Sequence, residues 1–154
     1  MSHFNHVREL SPESLRAVGA LVGAGVPVCN QTVLLRGVND SVEALESLFR
    51  ALYHARVRPY YLFQSDLVAG VEHLRTPLAT GLSIMKELRV RLSGPALPNF
   101  CLDPPGGGGK IELSPDYFVS RNGSETVLRN GRGEIFRYPD PAPAAAPARR
   151  RNRK

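Results

Sequence analysis

The chain has 154 residues, of which 42% are hydrophobic, enough for one domain with a real core. It is too short for a complete eight-unit β/α barrel, which takes about 250 residues. Its formal net charge of +6 misleads, because five of those charges are Arg149, Arg150, Arg151, Arg153 and Lys154. The rest is near neutral and offers no basic face to nucleic acid, and no apolar run approaches the length of a membrane span.

In chain order, Met1 to His6 reads as the tail of an element whose start is absent. Its two histidines have no cysteine or third histidine nearby, which argues against a metal. Ser11-Pro12-Glu13 is a helix start, with a capping hydroxyl, proline in the first turn and an acid near the positive dipole end. Leu15, Val18, Leu21 and Val22 form its apolar face, and Gly23 and Gly25 stop it. Val26 to Leu35 reads as a largely buried strand, interrupted by Asn30 and Gln31. Such amides must find partners, and water at the strand end is one source.

Asp40-Ser41 caps a second helix, with Leu45, Leu48, Phe49 and Leu52 turned inward. Arg56 to Phe63 is the next strand, followed by Gln64-Ser65-Asp66 and a short loop through Gly70. Thr76-Pro77 opens a third helix with Leu78, Leu82, Met85, Leu88 and Leu92 on its buried side, and Gly94-Pro95 ends it. An apolar run from Ala96 to Leu102 then leads to Asp103. Helix and strand alternate three times, which predicts an α/β fold with parallel strands and right-handed crossovers. Chemistry in such folds sits beyond the carboxyl ends of the strands, where Asp66, Asp103 and Lys110 fall. Cys29 and Cys101 lie in apolar strands without metal-ligand spacing, and read as buried reduced thiols of a cytoplasmic protein.

The most informative stretch is Asp103-Pro104-Pro105-Gly106-Gly107-Gly108-Gly109-Lys110. Four glycines add nothing to a core and supply bare N–H groups able to wrap an anion or a flat ring. A Walker A loop is excluded, since Pro104 and Ile111 stand where it needs glycine and Ser or Thr. A lysine beside such a cradle suits pyridoxal phosphate; a flexible linker with a solvated lysine is the other reading. Beyond it, Tyr117 to Ser120, Thr126 to Arg129 and Glu134 to Tyr138 are strand candidates with turns at Asn122-Gly123 and Asn130-Gly131. They predict a β-meander or hairpin. Residues 139–154 are rich in Pro, Ala and Arg and read as a disordered tail.

The glycine loop resembles the pyridoxal-phosphate loop of lysine 2,3-aminomutases, which are radical S-adenosylmethionine enzymes. His3-Phe4-Asn5-His6, Asn30 to Asp40, Arg56 to Tyr61, Arg75-Thr76-Pro77 and Val127 to Asn130 resemble that family too, in the same order. The resemblance runs from His3 to about Tyr138 and is to the carboxyl-terminal half of the catalytic chain. It implies that residues 1–112 are the carboxyl-terminal β/α units of a partial radical-adenosylmethionine barrel, with a β-rich extension at 113–138 and the tail at 139–154.

The resemblance also implies the chemistry, an isomerase that interconverts L-lysine and β-lysine by radical 1,2-amino migration. Lys110 would hold pyridoxal phosphate as an internal aldimine, neutralised by desolvation in a closed barrel. Gly106, Gly107, Gly108 and Gly109 would keep the loop close to the cofactor. His3, Asn5 and Gln31 would contact S-adenosylmethionine. Asp66 and Asp103 would receive the substrate's side-chain ammonium; relatives acting on glutamate have non-acidic residues there. The family's [4Fe-4S] cluster uses a Cys-x-x-x-Cys-x-x-Cys motif that this chain lacks, as it lacks the arginines for the substrate carboxylate and cofactor phosphate. Ser41 stands where some relatives have a zinc-binding cysteine, so no metal site is expected. The chain reads as a part of an aminomutase, inactive alone and homo-oligomeric when complete. The alternatives are a pyridoxal-phosphate-binding module, a degenerate non-catalytic remnant, or a relative that makes β-lysine for a translation factor.

Overall fold

The computed structural model describes residues 1–139 apart from Pro105, Gly107, Pro115 and Ser124. It divides into two compact units, Met1–Pro115 and Asp116–Lys154.

The first unit is a mixed α/β layer. Its described elements are β1 (Ser2–His3), α1 (Pro12–Gly23), β2 (Val28–Leu34), α2 (Val42–His54), β3 (Val57–Gln64), α3 (Leu78–Arg91), β4 (Asn99–Leu102) and β5 (Ile111–Glu112). The strands lie side by side in chain order in one five-stranded sheet. The first four run parallel, as the strand–helix alternation predicts, and β5 returns antiparallel against β4. The resulting sheet is open; the described residues do not close a barrel.

Local chemistry sets the helix starts. The Ser11 hydroxyl accepts from the Ser14 N–H at 3.3 Å, and the Ser41 hydroxyl accepts from the Ala44 N–H at 3.2 Å. Each satisfies one orphan donor of a first turn. α2 buries Leu45, Leu48, Phe49 and Leu52 completely, as its periodicity predicts. The core clusters them with Leu34, Val57, Leu62, Met85, Leu88 and Phe100, so three helices cover one face of the sheet. Each such side chain contributes about 1.5–3 kcal/mol through burial. Gly81 lets α3 approach closely, since a Cβ there would lie 2.2 Å from Phe100 Cζ.

Two helix faces differ from expectation. On α1 only Val18 is buried, while Leu15 and Leu21 are exposed. α3 buries Met85, Leu88 and Leu92 as expected and packs Leu82 against the core, but adds Gly81 and Ile84 and leaves Leu78 exposed. The strand expected from Ala96 begins only at Asn99, because Gly94–Ala96 makes a 3-10 turn held by the Ala96 and Leu97 N–H groups. Cys101 is buried, but Cys29 is only partly so, because it faces away from the helices.

Buried amides lace the amino-terminal segment to β2. Asn30 Oδ1 accepts from the Phe4 N–H at 2.8 Å and its Nδ2 donates to Phe4 O at 3.0 Å. Asn39 Nδ2 donates to the carbonyls of Asn5 and Val33, both at 2.8 Å. Asn30 thus has a framework role. His6 does too, its Nδ1 accepting from the Arg8 N–H at 3.2 Å in a capping box with Glu9.

The second unit is a three-stranded antiparallel sheet, β6 (Phe118–Asn122), β7 (Glu125–Arg129) and β8 (Ile135–Pro139), in that order. It is the meander that the Asn-Gly pairs predict. Pro139 closes β8 opposite Glu125, so the boundary of the expected tail moves beyond it. The rest of the tail reading, residues 140–154, lies outside the described residues.

Candidate functional site

The alternation within the strands sorts chemistry from core. On β2, Val28, Asn30, Thr32 and Leu34 are buried, and Cys29, Gln31 and Val33 look the other way. On β3 the register slips between Pro59 and Tyr61, so Tyr60 is an extra residue and Tyr61 and Phe63 share the face of Gln31 and Val33. Two cross-strand rows result on the open face. One is His3, Gln31, Tyr61 and Asn99; the other is Val33, Phe63, Cys101 and Glu112.

Lys110 stands above these rows. Its Nζ is 3.9 Å from the centre of the Phe63 ring, 4.8 Å from that of Tyr61 and 3.6 Å from Asp103 Oδ1. All three are contacts that favour a cation. The antiparallel return of β5 brings the lysine there, since Ile111 pairs with Leu102 and the glycine loop spans the turn. Gly106 and Gly109 take positive φ, 83° and 78°, where a side chain would be strained. A Cβ on Gly108 would crowd Pro104 at 3.1 Å. Gly107 lies outside the described residues.

At the carboxyl ends of β3 and β4 a cleft of about 210 Å³ is lined in part by His3, Gln31, Gln64, Asp66 and Asp103. It joins four of the side chains that the sequence singles out. A neighbouring cleft of about 320 Å³ shares Gln64, Asp66 and Asp103 and adds Arg75 and Thr76. A larger hollow of about 620 Å³ opens at the other end of β3, between Tyr53, Arg56, Arg58 and Pro95, away from every residue of the predicted site. Its size does not outweigh the chemistry gathered in the smaller one.

Asn5 has a different position. Its Oδ1 accepts from the Val33 N–H at 2.8 Å, which makes that oxygen part of the framework. The desolvation expected for Lys110 is not supplied by these residues either. Its side chain is 36% exposed and that of Asp103 is 50% exposed, because nothing described covers this face of the sheet. The Cys101 thiol beside them is pushed up, first by burial and then by Glu112 and Asp103, with Lys110 acting the other way. Ser41, the position of a possible zinc ligand, gives its oxygen to the helix cap. Among the described residues no three His, Cys, Asp or Glu side chains are grouped to hold a metal. No described helix is long and apolar enough to cross a membrane.

Sequence reasoning missed Tyr61, Phe63 and Gln64. The two rings follow from the bulge at Tyr60, which has no local signature. Gln64 could have been suspected as a polar residue ending an apolar strand.

A family model described as Lysine-2,3-aminomutase matches residues 85–152. The L-lysine 2,3-aminomutases of Fusobacterium nucleatum and Bacillus subtilis are each 49% identical over 140 residues, 91% of this chain and 33% and 30% of those proteins. The glutamate 2,3-aminomutase of Clostridioides difficile is 42% identical over 90% of this chain and 33% of its own length. The chain thus spans about a third of the length of the relatives it matches, in their carboxyl-terminal part.

Proposed function

We propose that this chain, a relative of the lysine 2,3-aminomutases over 91% of its length, serves as the carboxyl-terminal part of such an isomerase, with L-lysine as substrate. The reaction is the interconversion of L-lysine and β-lysine by 1,2-amino migration, and the first unit contributes to its radical-adenosylmethionine barrel. The observation that carries this reading is Lys110, placed 3.6 Å from Asp103 above the rings of Phe63 and Tyr61, where Phe63 and Asp103 also line the cleft that Asp66 shares.

The residues present fit pyridoxal phosphate. An amine stands at the end of a loop whose Gly106 and Gly109 conformations leave the backbone bare, beside flat rings on which a planar group can lie. When bound, that cofactor supplies an aldehyde for amines and a conjugated ring that spreads an unpaired electron. Lys110 would hold it, with Gly106, Gly108 and Gly109 leaving it room. His3 and Gln31, paired across β1 and β2, are the polar groups offered to adenosylmethionine. No described residues fit an iron–sulfur cluster, as Cys29 and Cys101 have no ligand neighbours, and no step of the proposal runs through one.

Asp66 and Asp103 decide the substrate. A side-chain ammonium needs counter-charges and a side-chain carboxylate would be repelled by them. Titration of this chain with L-lysine and with L-norleucine, which lacks the terminal amine, tests it. Asp66→Asn or Asp103→Asn should weaken lysine by about 1 kcal/mol, the value of a partly exposed charge pair, and leave norleucine alone. Equal affinity for the two amino acids in the unaltered chain would refute the reading.

A further inference from the structure

Among the described residues, one other than glycine has a positive φ: Arg56, at 58°. It follows the last turn of α2, and its N–H donates to the Tyr53 carbonyl at 3.0 Å. Helices commonly end on a left-handed residue at this place, and glycine is the usual choice because it has no Cβ to clash. An arginine there is strained, and strain of this kind gathers where a side chain is put to use. One use is local, a cation near the negative end of a helix. The surroundings of the guanidinium point to a second.

Arg56 lines the hollow of about 620 Å³ at the start of β3, together with Tyr53, Val57, Arg58, Gly94 and Pro95. That volume lies in the range of small-molecule sites, about 300–1,000 Å³. The lining holds two arginines and no carboxylate, and both arginines are exposed, so a solute can reach them. Elsewhere Arg16, Arg50, Arg91 and Arg137 each meet a glutamate. Arg56 and Arg58 meet none among the described residues; Arg58 rests over the Tyr60 ring, 5.8 Å from its centre. Two like charges lining one hollow without an acid leave it positive, and an anion is their complement. The Tyr53 side chain, 45% exposed, offers a ring face beside them.

We propose that this hollow is a second ligand site, for a small phosphate monoester whose flat ring lies against Tyr53 while its phosphate spans Arg56 and Arg58. A phosphate monoester carries about −1.5 to −2 charges at pH 7, which matches two guanidiniums, and its oxygens suit their planar forks. A carboxylate brings half that charge. The hollow opens at the other end of β3 from Phe63 and Lys110. The site is therefore separate from the one read as an isomerase centre, and it stands or falls independently of that reading.

The test is an NMR titration of the full 154-residue chain with phenyl phosphate, benzoate and phenol, in the native chain and in the Arg56→Gly, Arg58→Gln and Arg16→Gln variants. Phenyl phosphate should move the Val57 and Gly94 resonances, benzoate should bind about tenfold more weakly, and phenol should leave them in place. Arg56→Gly and Arg58→Gln should each weaken phenyl phosphate about tenfold, the effect of losing a hydrogen bond to a charged group. Arg16→Gln, on α1, should leave its affinity unchanged. Arg56→Gly should also melt at a higher temperature than the native chain, because glycine relieves the left-handed strain. If it instead melts lower and binds phenyl phosphate as before, the arginine serves the helix end and the proposal falls. If Arg16→Gln weakens binding as much as Arg58→Gln, the anion is held by general positive charge and the proposal falls. Benzoate binding as tightly as phenyl phosphate overturns the phosphate assignment, and still resonances at Val57 and Gly94 overturn the site.

Discussion

The two faces of the five-stranded sheet are built from alternate residues of the same strands and differ in kind. One face is closed by α1, α2 and α3 over Leu34, Leu62 and Phe100, all within 1% of complete burial. The other presents Gln31, Val33, Tyr61 and Phe63 half-buried, with Lys110 resting on the rings. Parallel sheets are normally covered on both faces. The difference teaches that the helical face holds the fold, while the open face holds the chemistry and gains little of its order from packing. Lys110 and Asp103 meet only there, 3.6 Å apart.

Substitutions should separate the two faces by size of effect. The largest belongs to the covered face. Phe49 is fully buried against the core, and Phe49→Ala should cost about 3–5 kcal/mol in denaturant unfolding of the chain. The Asp66→Asn change at the strand end should leave that unfolding curve in place while weakening lysine, since the side chain is exposed and bonds nothing the fold depends on. A large loss of stability in Asp66→Asn would break the division between the faces. The smallest effect sharpens it: Ser41→Ala, which removes the α2 cap, should cost about 1 kcal/mol without altering lysine binding.

How far the sequence revealed these faces follows the reach of the interactions. Ser11 and Ser41 were legible as caps because capping depends on residues three apart. The α2 stripe was legible because Leu45, Leu48, Phe49 and Leu52 keep helical spacing. The meander was legible from two Asn-Gly turns. The burial of Gly81 on α3 was not, because it packs on Phe100 from a different element. On the open face, the carboxylates and the lysine were placed by their position after strands and by resemblance. Their mutual geometry depends on the two-residue β5, too short to carry a periodic signal, and on the bulge at Tyr60.

The central claim is that the lysine closing the glycine loop is the cofactor amine. The chain contains three lysines, Lys86, Lys110 and Lys154. Lys86 projects to solvent from α3 and Lys154 lies outside the described residues. Incubation with pyridoxal phosphate at low molar excess, borohydride reduction and peptide mass spectrometry compare the three directly. The account predicts a pyridoxyl label on the peptide containing Lys110 and its loss in Lys110→Ala. A label placed mainly on Lys86, or undiminished labelling of the Lys110→Ala chain, would contradict it.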